Sequence, residues 1–127
     1  MKDFKEFLAS KVPGFLIGRS SMPQIKDQQA FIDHLSDKGI YFSFEEIPIS
    51  SITPVQPDID QEKVFSIDPL KPADPIIVSD SYYILDGHHR FFSYLINDYD
   101  FVNVLKVDIG INKLLVLAKE YSEGNSG

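Results

Sequence analysis

The chain has 127 residues, 43% of them apolar and 24% charged, with twelve basic against nineteen acidic side chains for a net charge of −7. That length suits one domain with its own core, and the acidic balance disfavours unspecific binding to a duplex backbone, which needs Lys and Arg against phosphates. Cysteine is absent, which excludes disulfides, Cys-ligated zinc, iron–sulfur clusters and thiol nucleophiles. No run approaches the roughly 18 apolar residues of a spanning helix, and the start Met-Lys-Asp-Phe-Lys-Glu lacks the pattern of a signal peptide. A cytoplasmic protein with no membrane partner is expected.

Residues 3–12 predict a short amphipathic helix with Phe4, Phe7, Leu8 and Lys11 on one face, stopped by Pro13-Gly14. A second helix is expected from Ser20-Ser21-Met22-Pro23, with Ser21 as N-cap and Ile25, Phe31, Ile32 and Leu35 as its apolar face. Gly39 sits where a helix-ending glycine belongs. Residues 40–56 read as extended, and Pro48 inside such a stretch predicts an edge strand or a bulge. Residues 58–67 predict a short helix opened by Asp58 or Asp60, with Val64 and Phe65 turned inward. Pro69, Pro72 and Pro75 mark a loop.

Residues 76–85 suggest two short strands around a turn at Ser79-Asp80-Ser81. A helix follows over 87–97 and ends at Asn97-Asp98. Val102, Val104, Val107 and Ile109 alternate as a strand over 101–109. A last helix is expected over 111–121, carried by Leu114, Leu115, Leu117 and Ala118. The order predicts a small α+β domain, a mixed sheet flanked by helices. The expected division is a helical segment 1–39, a domain 40–121, and a frayed tail or linker 122–127.

The chemistry concentrates in residues 83–90, Tyr-Ile-Leu-Asp-Gly-His-His-Arg. An apolar strand runs through Asp86-Gly87 straight into a helix. Glycine there lets a ligand approach the backbone, and the amides of a first helical turn attract anions. His88, His89 and Arg90 oppose the helix macrodipole unless an anion is bound. Arg supplies a bidentate fork for phosphate. Each residue also has a structural reading. His88 shares the stripe of Phe91, Phe92 and Leu95, Asp86 can cap a helix, and Arg90 can be solvated. Adjacent histidines lie about 100° apart on a helix, which disfavours a shared metal. His88 and His89 are therefore expected to differ, with His89 facing a pocket.

The stretch from Ile47 to Ile96 resembles the ParB/sulfiredoxin superfamily. It carries Ile-Pro-Ile-Ser-Ser-Ile-Thr-Pro-Val-Gln-Pro, then Glu-Lys-Val, Asp-Pro-Ile-Ile-Val-Ser, and finally Tyr-Ile-Leu-Asp-Gly-His-His-Arg-Phe. The Asp-Gly-His-His-Arg form is most similar to the free serine kinase branch, and the missing cysteine rules out sulfiredoxin chemistry. The resemblance implies a nucleotide whose phosphates sit at Gly87, His89 and Arg90, with the loop after the first strand facing them. Gln56 stands in that loop where the kinase branch carries a glutamate resembling a catalytic base, and Gln cannot take the proton.

The expected function is a nucleotide-phosphate-binding domain of this type, with ATP or another nucleotide, Mg²⁺, and phosphoryl transfer to a small hydroxyl acceptor. In it His88, His89 and Asp86 would be catalytic. The alternatives are a ParB-like nuclease or DNA-associated module acting on nucleic acid, and a non-catalytic nucleotide-binding module. Asp58 and Asp60 are candidates for Mg²⁺, or caps of the 58–67 helix. Arg19, in Gly-Arg-Ser-Ser, could reach a phosphate or be a surface residue. Tyr41, Phe42 and Phe44 could stack a base, but at strand spacing they are expected in the core.

Overall fold

The structure is a computed structural model and describes Pro23, residues 25–55 and residues 59–124. The expected helix over 3–12 lies outside these residues. So do Arg19, Gln56 and Asp58.

Helix α1 spans Gln28–Asp37, starting later than expected. Its N-cap is Asp27, whose Oδ1 accepts the Ala30 amide at 3.1 Å. Pro23 and residues 25–27 precede the helix, because Asp27 satisfies a first-turn amide and the good formers Gln28, Gln29 and Ala30 follow it. At the other end Gly39 takes φ +71°. Its amide donates to the Ser36 carbonyl and that of Ile40 to Leu35, each at 3.0 Å. This is the paired capping that a left-handed glycine permits.

A 4-stranded sheet follows, in the order β1-β4-β2-β3. Strand β1 is Phe42–Pro48, β2 Ile76–Val78, β3 Ile84–Asp86 and β4 Phe101–Val107. β4 runs antiparallel to β1 and parallel to β2, and β2 is antiparallel to β3. β1 is thus the edge strand that Pro48 predicts. The Ile49 amide donates to Asp100 and the Asp108 amide to the Tyr41 carbonyl, both at 2.9 Å. Odd-numbered residues of β1 therefore turn their backbone groups toward β4 and even-numbered ones turn theirs outward. Pro48 falls on the outward side, where its missing N–H breaks no ladder bond.

A 3₁₀ turn, Ile49–Ser51, leads from β1 to Thr53. Thr53 donates to the Tyr82 carbonyl at 2.9 Å and accepts the Ile84 amide at 3.0 Å. This short parallel bridge lies along β3 and carries the segment after it to the sheet's far edge. Helix α2, Gln61–Ser66, is capped by Asp60, which accepts the Lys63 amide. α3 is His88–Ile96. α4 is Ile111–Gly124, running beyond the expected end at 121.

Helices cover both sheet faces. On one face Ile76, Val78, Ile84, Val102 and Val104 pack with Val64 of α2 and Phe91 and Phe92 of α3. On the other, Ile77, Leu85, Leu105 and Val107 pack with Phe31 and Leu35 of α1 and Leu114, Leu117 and Ala118 of α4. The architecture is the expected small mixed α+β sheet flanked by helices. Because β4 is central, both its faces are buried, and the clean alternation read in 101–109 gives way at the adjacent Val104 and Leu105.

Two inward assignments need correction. Phe65 is 52% exposed while Val64 is fully buried. Consecutive residues of a helix point about 100° apart, and on this short helix Val64 takes the direction toward the sheet while Phe65 is turned to its flank. Tyr41 and Phe44 are likewise 80% and 60% exposed rather than core, because α1 and α4 do not extend over that part of the edge strand.

Candidate functional site

The centre of the site is the passage from β3 through Gly87 into α3. Gly87 takes φ +104°, a left-handed conformation that L side chains resist. A Cβ there would meet Arg90 Nη2 at 2.9 Å and Ile76 Cγ1 at 3.2 Å. Glycine is needed both for its backbone angle and for space. As the N-cap it also contributes no side chain to the first-turn amides of α3. The first bond of the helix runs from the Phe91 amide to the Gly87 carbonyl at 2.9 Å. The amides of residues 88–90 have no intrahelical acceptor.

The two histidines divide as their 100° separation requires. His88 is 3% exposed and lies in the apolar stripe with Phe91 and Phe92. Its Nε2 accepts the Val55 amide at 3.1 Å. His89 is half-buried, and its Nε2 accepts the Asp60 amide at 3.2 Å. An Nε2 that accepts belongs to a neutral ring with its proton on Nδ1. The pair therefore holds the chain at Val55 and at Asp60 against the start of α3.

Arg90 folds back across Gly87. Its Nη1 donates to the Asp74 carbonyl and its Nη2 lies 3.5 Å from Asp86 Oδ2. The guanidinium joins the end of β3, the start of α3 and the loop before β2. Asp86 is partly buried, with 27% of its side chain exposed. Burial pushes its carboxyl above the usual carboxylate range, and the nearby Asp74 charge adds to this. Arg90, the backbone amide of Ile25 and Lys63 pull the other way without cancelling the rise.

Asp86, Gly87, His88, His89 and Arg90 are thus gathered at one turn, and Asp60 joins them through its backbone. The Asp60 carboxylate itself is engaged as the α2 cap. Gln56, Asp58 and Arg19 fall outside the described residues. Among the described residues no group of three His, Asp or Glu side chains gathers in a way that could hold a metal ion. The sequence reading missed the Val55 and Asp60 amides, the Asp74 carbonyl and the Ile25 amide. All are backbone groups, which carry no residue-type signal.

No family model matches the chain, and no curated protein matches it. Among solved structures, the Pnob8-like ParB-N domain is similar in fold, at 16% identity with a TM-score of 0.44, over 58% of this chain and 32% of that one. The chain spans about a third of the length of that ParB-N chain. No helix among the described residues is long and apolar enough to cross a membrane.

Proposed function

We propose that residues 86–90 bind the phosphates of a nucleotide. The observation that carries this reading is the opening of α3, where a left-handed glycine places no side chain over the first-turn amides and His88, His89 and Arg90 follow at once. Amides at a helix start favour anions, and an anion relieves the conflict between Arg90 and the macrodipole. His88 and His89 contribute by holding the Val55 and Asp60 segment beside the helix start. Arg90 turns its fork from Asp86 and Asp74 to the phosphate when the nucleotide binds. Mg²⁺ characteristically uses one or two carboxylates together with substrate phosphates. Asp86 or Asp60 would serve once a nucleotide is present.

The test is thermal unfolding with ATP, ADP, CTP and inorganic phosphate, each with and without Mg²⁺. A ligand at a hundred times its Kd adds about 2.7 kcal/mol. Arg90→Ala is expected to weaken the best nucleotide at least tenfold, the equivalent of about 1.4 kcal/mol. If no nucleotide stabilises the chain, the reading is wrong.

The raised Asp86 carboxyl favours a second reading, phosphoryl transfer to a small hydroxyl acceptor with Asp86 taking the hydroxyl proton. A base works best when its pKa approaches the working pH. Acceptor-dependent formation of ADP from ATP, lost in Asp86→Asn while nucleotide binding persists, is the expected result. Binding without any turnover would leave a non-catalytic module.

A further inference from the structure

Among the described residues no strand pairs with the outer edge of β1, and its limits are set at both ends. The outward-facing backbone groups belong to Phe42, Phe44 and Glu46 by the parity established above. Beyond Glu46 the next outward residue is Pro48, which has no N–H. Before Phe42 the next is Ile40, whose N–H is already donated to the Leu35 carbonyl at 3.0 Å. The usable window therefore runs from Phe42 to Glu46 and is centred on Phe44. Tyr41, Phe44 and Glu46 in and beside it are exposed.

We propose that this edge pairs with the same edge of a second copy, antiparallel, about a two-fold axis at Phe44. An open strand edge is a template for another strand. Antiparallel pairing about Phe44 sets Phe44 opposite its own copy, Phe42 opposite Glu46, and Ser43 opposite Glu45. Every outward N–H and C=O in the window then finds a partner. At both ends Pro48 meets Ile40, so neither wastes a donor.

The charges select this register. Moving the axis to residue 45 or 46 would put Glu45 or Glu46 directly against itself, which destabilises a sheet pair. With the axis at Phe44, each incoming Glu45 lies across Ser43, whose other neighbour is Lys106 of β4. Lys106 already stands over the Tyr82 ring, 5.2 Å from its centroid. Tyr82 in turn donates its hydroxyl to Glu45 at 3.0 Å. The partner's carboxylate thus approaches a lysine on the same sheet face. On the opposite face, Phe42 and Phe44 already meet edge to face with ring centroids 6.3 Å apart. The second copy extends this contact into a continuous aromatic row across the axis.

Sedimentation equilibrium of the 127-residue chain should resolve a monomer–dimer equilibrium. Amide exchange at Phe42, Phe44 and Glu46 should slow as concentration rises, with Ser43 and Glu45 unchanged. Phe44→Pro deletes an outward N–H and leaves the β4 ladder whole, so it should yield a monomer with unaltered circular dichroism. A second pair of variants does not depend on Phe44→Pro folding. The chain has no cysteine, and directly hydrogen-bonded strand partners sit about 5.5 Å apart at Cα, within disulfide reach. Phe44→Cys should therefore cross-link on mild oxidation, and Ser43→Cys should not. A chain that stays monomeric at the highest attainable concentration overturns the proposal. So does a dimer that persists in well-folded Phe44→Pro, or equal cross-linking at residues 43 and 44.

Discussion

Gly87 carries two constraints that a single methyl group would violate. Alanine at φ +104° is strained, and its Cβ would press on Arg90 Nη2 and Ile76 Cγ1. Arg90 cannot move aside without leaving the Asp74 carbonyl and Asp86. Gly87→Ala is expected to lose more than about 1 kcal/mol in urea unfolding, the scale of one strained backbone position. Asp86 makes a prediction of opposite character. Its folded carboxyl titrates above the usual range, so the folded chain holds that proton more firmly than the unfolded one. Asp86 therefore contributes stability at pH values below its unfolded pKa. That contribution is lost as pH rises through the raised folded value. Stability measured from acid to neutral pH should lose this increment in the native chain, and Asp86→Asn should abolish the loss. An identical pH profile in the variant would show that Asp86 ionises at no cost.

Helix α3 is tied to the segment after β1 by histidines in unequal surroundings, and their removal should cost unequally. His88→Ala leaves the Val55 amide without its acceptor beside a fully buried side chain. An orphaned buried donor costs about 1–3 kcal/mol, and the vacated ring volume adds to this. His89→Ala frees the more exposed Asp60 amide to water and should cost less than about 1 kcal/mol. Comparing unfolding midpoints of the two variants checks the difference. The elements themselves were largely legible in the sequence, because each rests on local chemistry. Gly39 ended its helix, Pro48 marked an edge, and Asn97-Asp98 closed α3. What escaped was decided at a distance. Ser21 lies outside the described residues, and the apolar face from Ile25 did not announce that Asp27 would cap α1. Phe44 had the alternation of a core residue, but no helix among the described residues extends over it. The turn at residues 86–90 was legible as a cluster of residue types. Asp86, four residues before Arg90, was a legible partner for its guanidinium, whereas the Asp74 carbonyl was not, because a backbone group carries no residue-type signal.

At the scale of the whole chain, one sheet serves two cores, and each core is assembled from both ends of the sequence. Ile47 and Val64 meet Phe91 and Val102 on one face. Phe31 and Leu35 meet Leu105 and Leu114 on the other. Between the two contributions lies the proline-bearing stretch after Ile67, where Leu70 is 84% exposed. Such an exposed stretch is open to proteolytic nicking. Severing it removes one covalent link and no core contact. β1, from the first portion, stays laced along β4, from the second, through Phe42 to Val107 at one end and Pro48 to Phe101 at the other. The two pieces would remain clasped like halves of a buckle, each the template that completes the other.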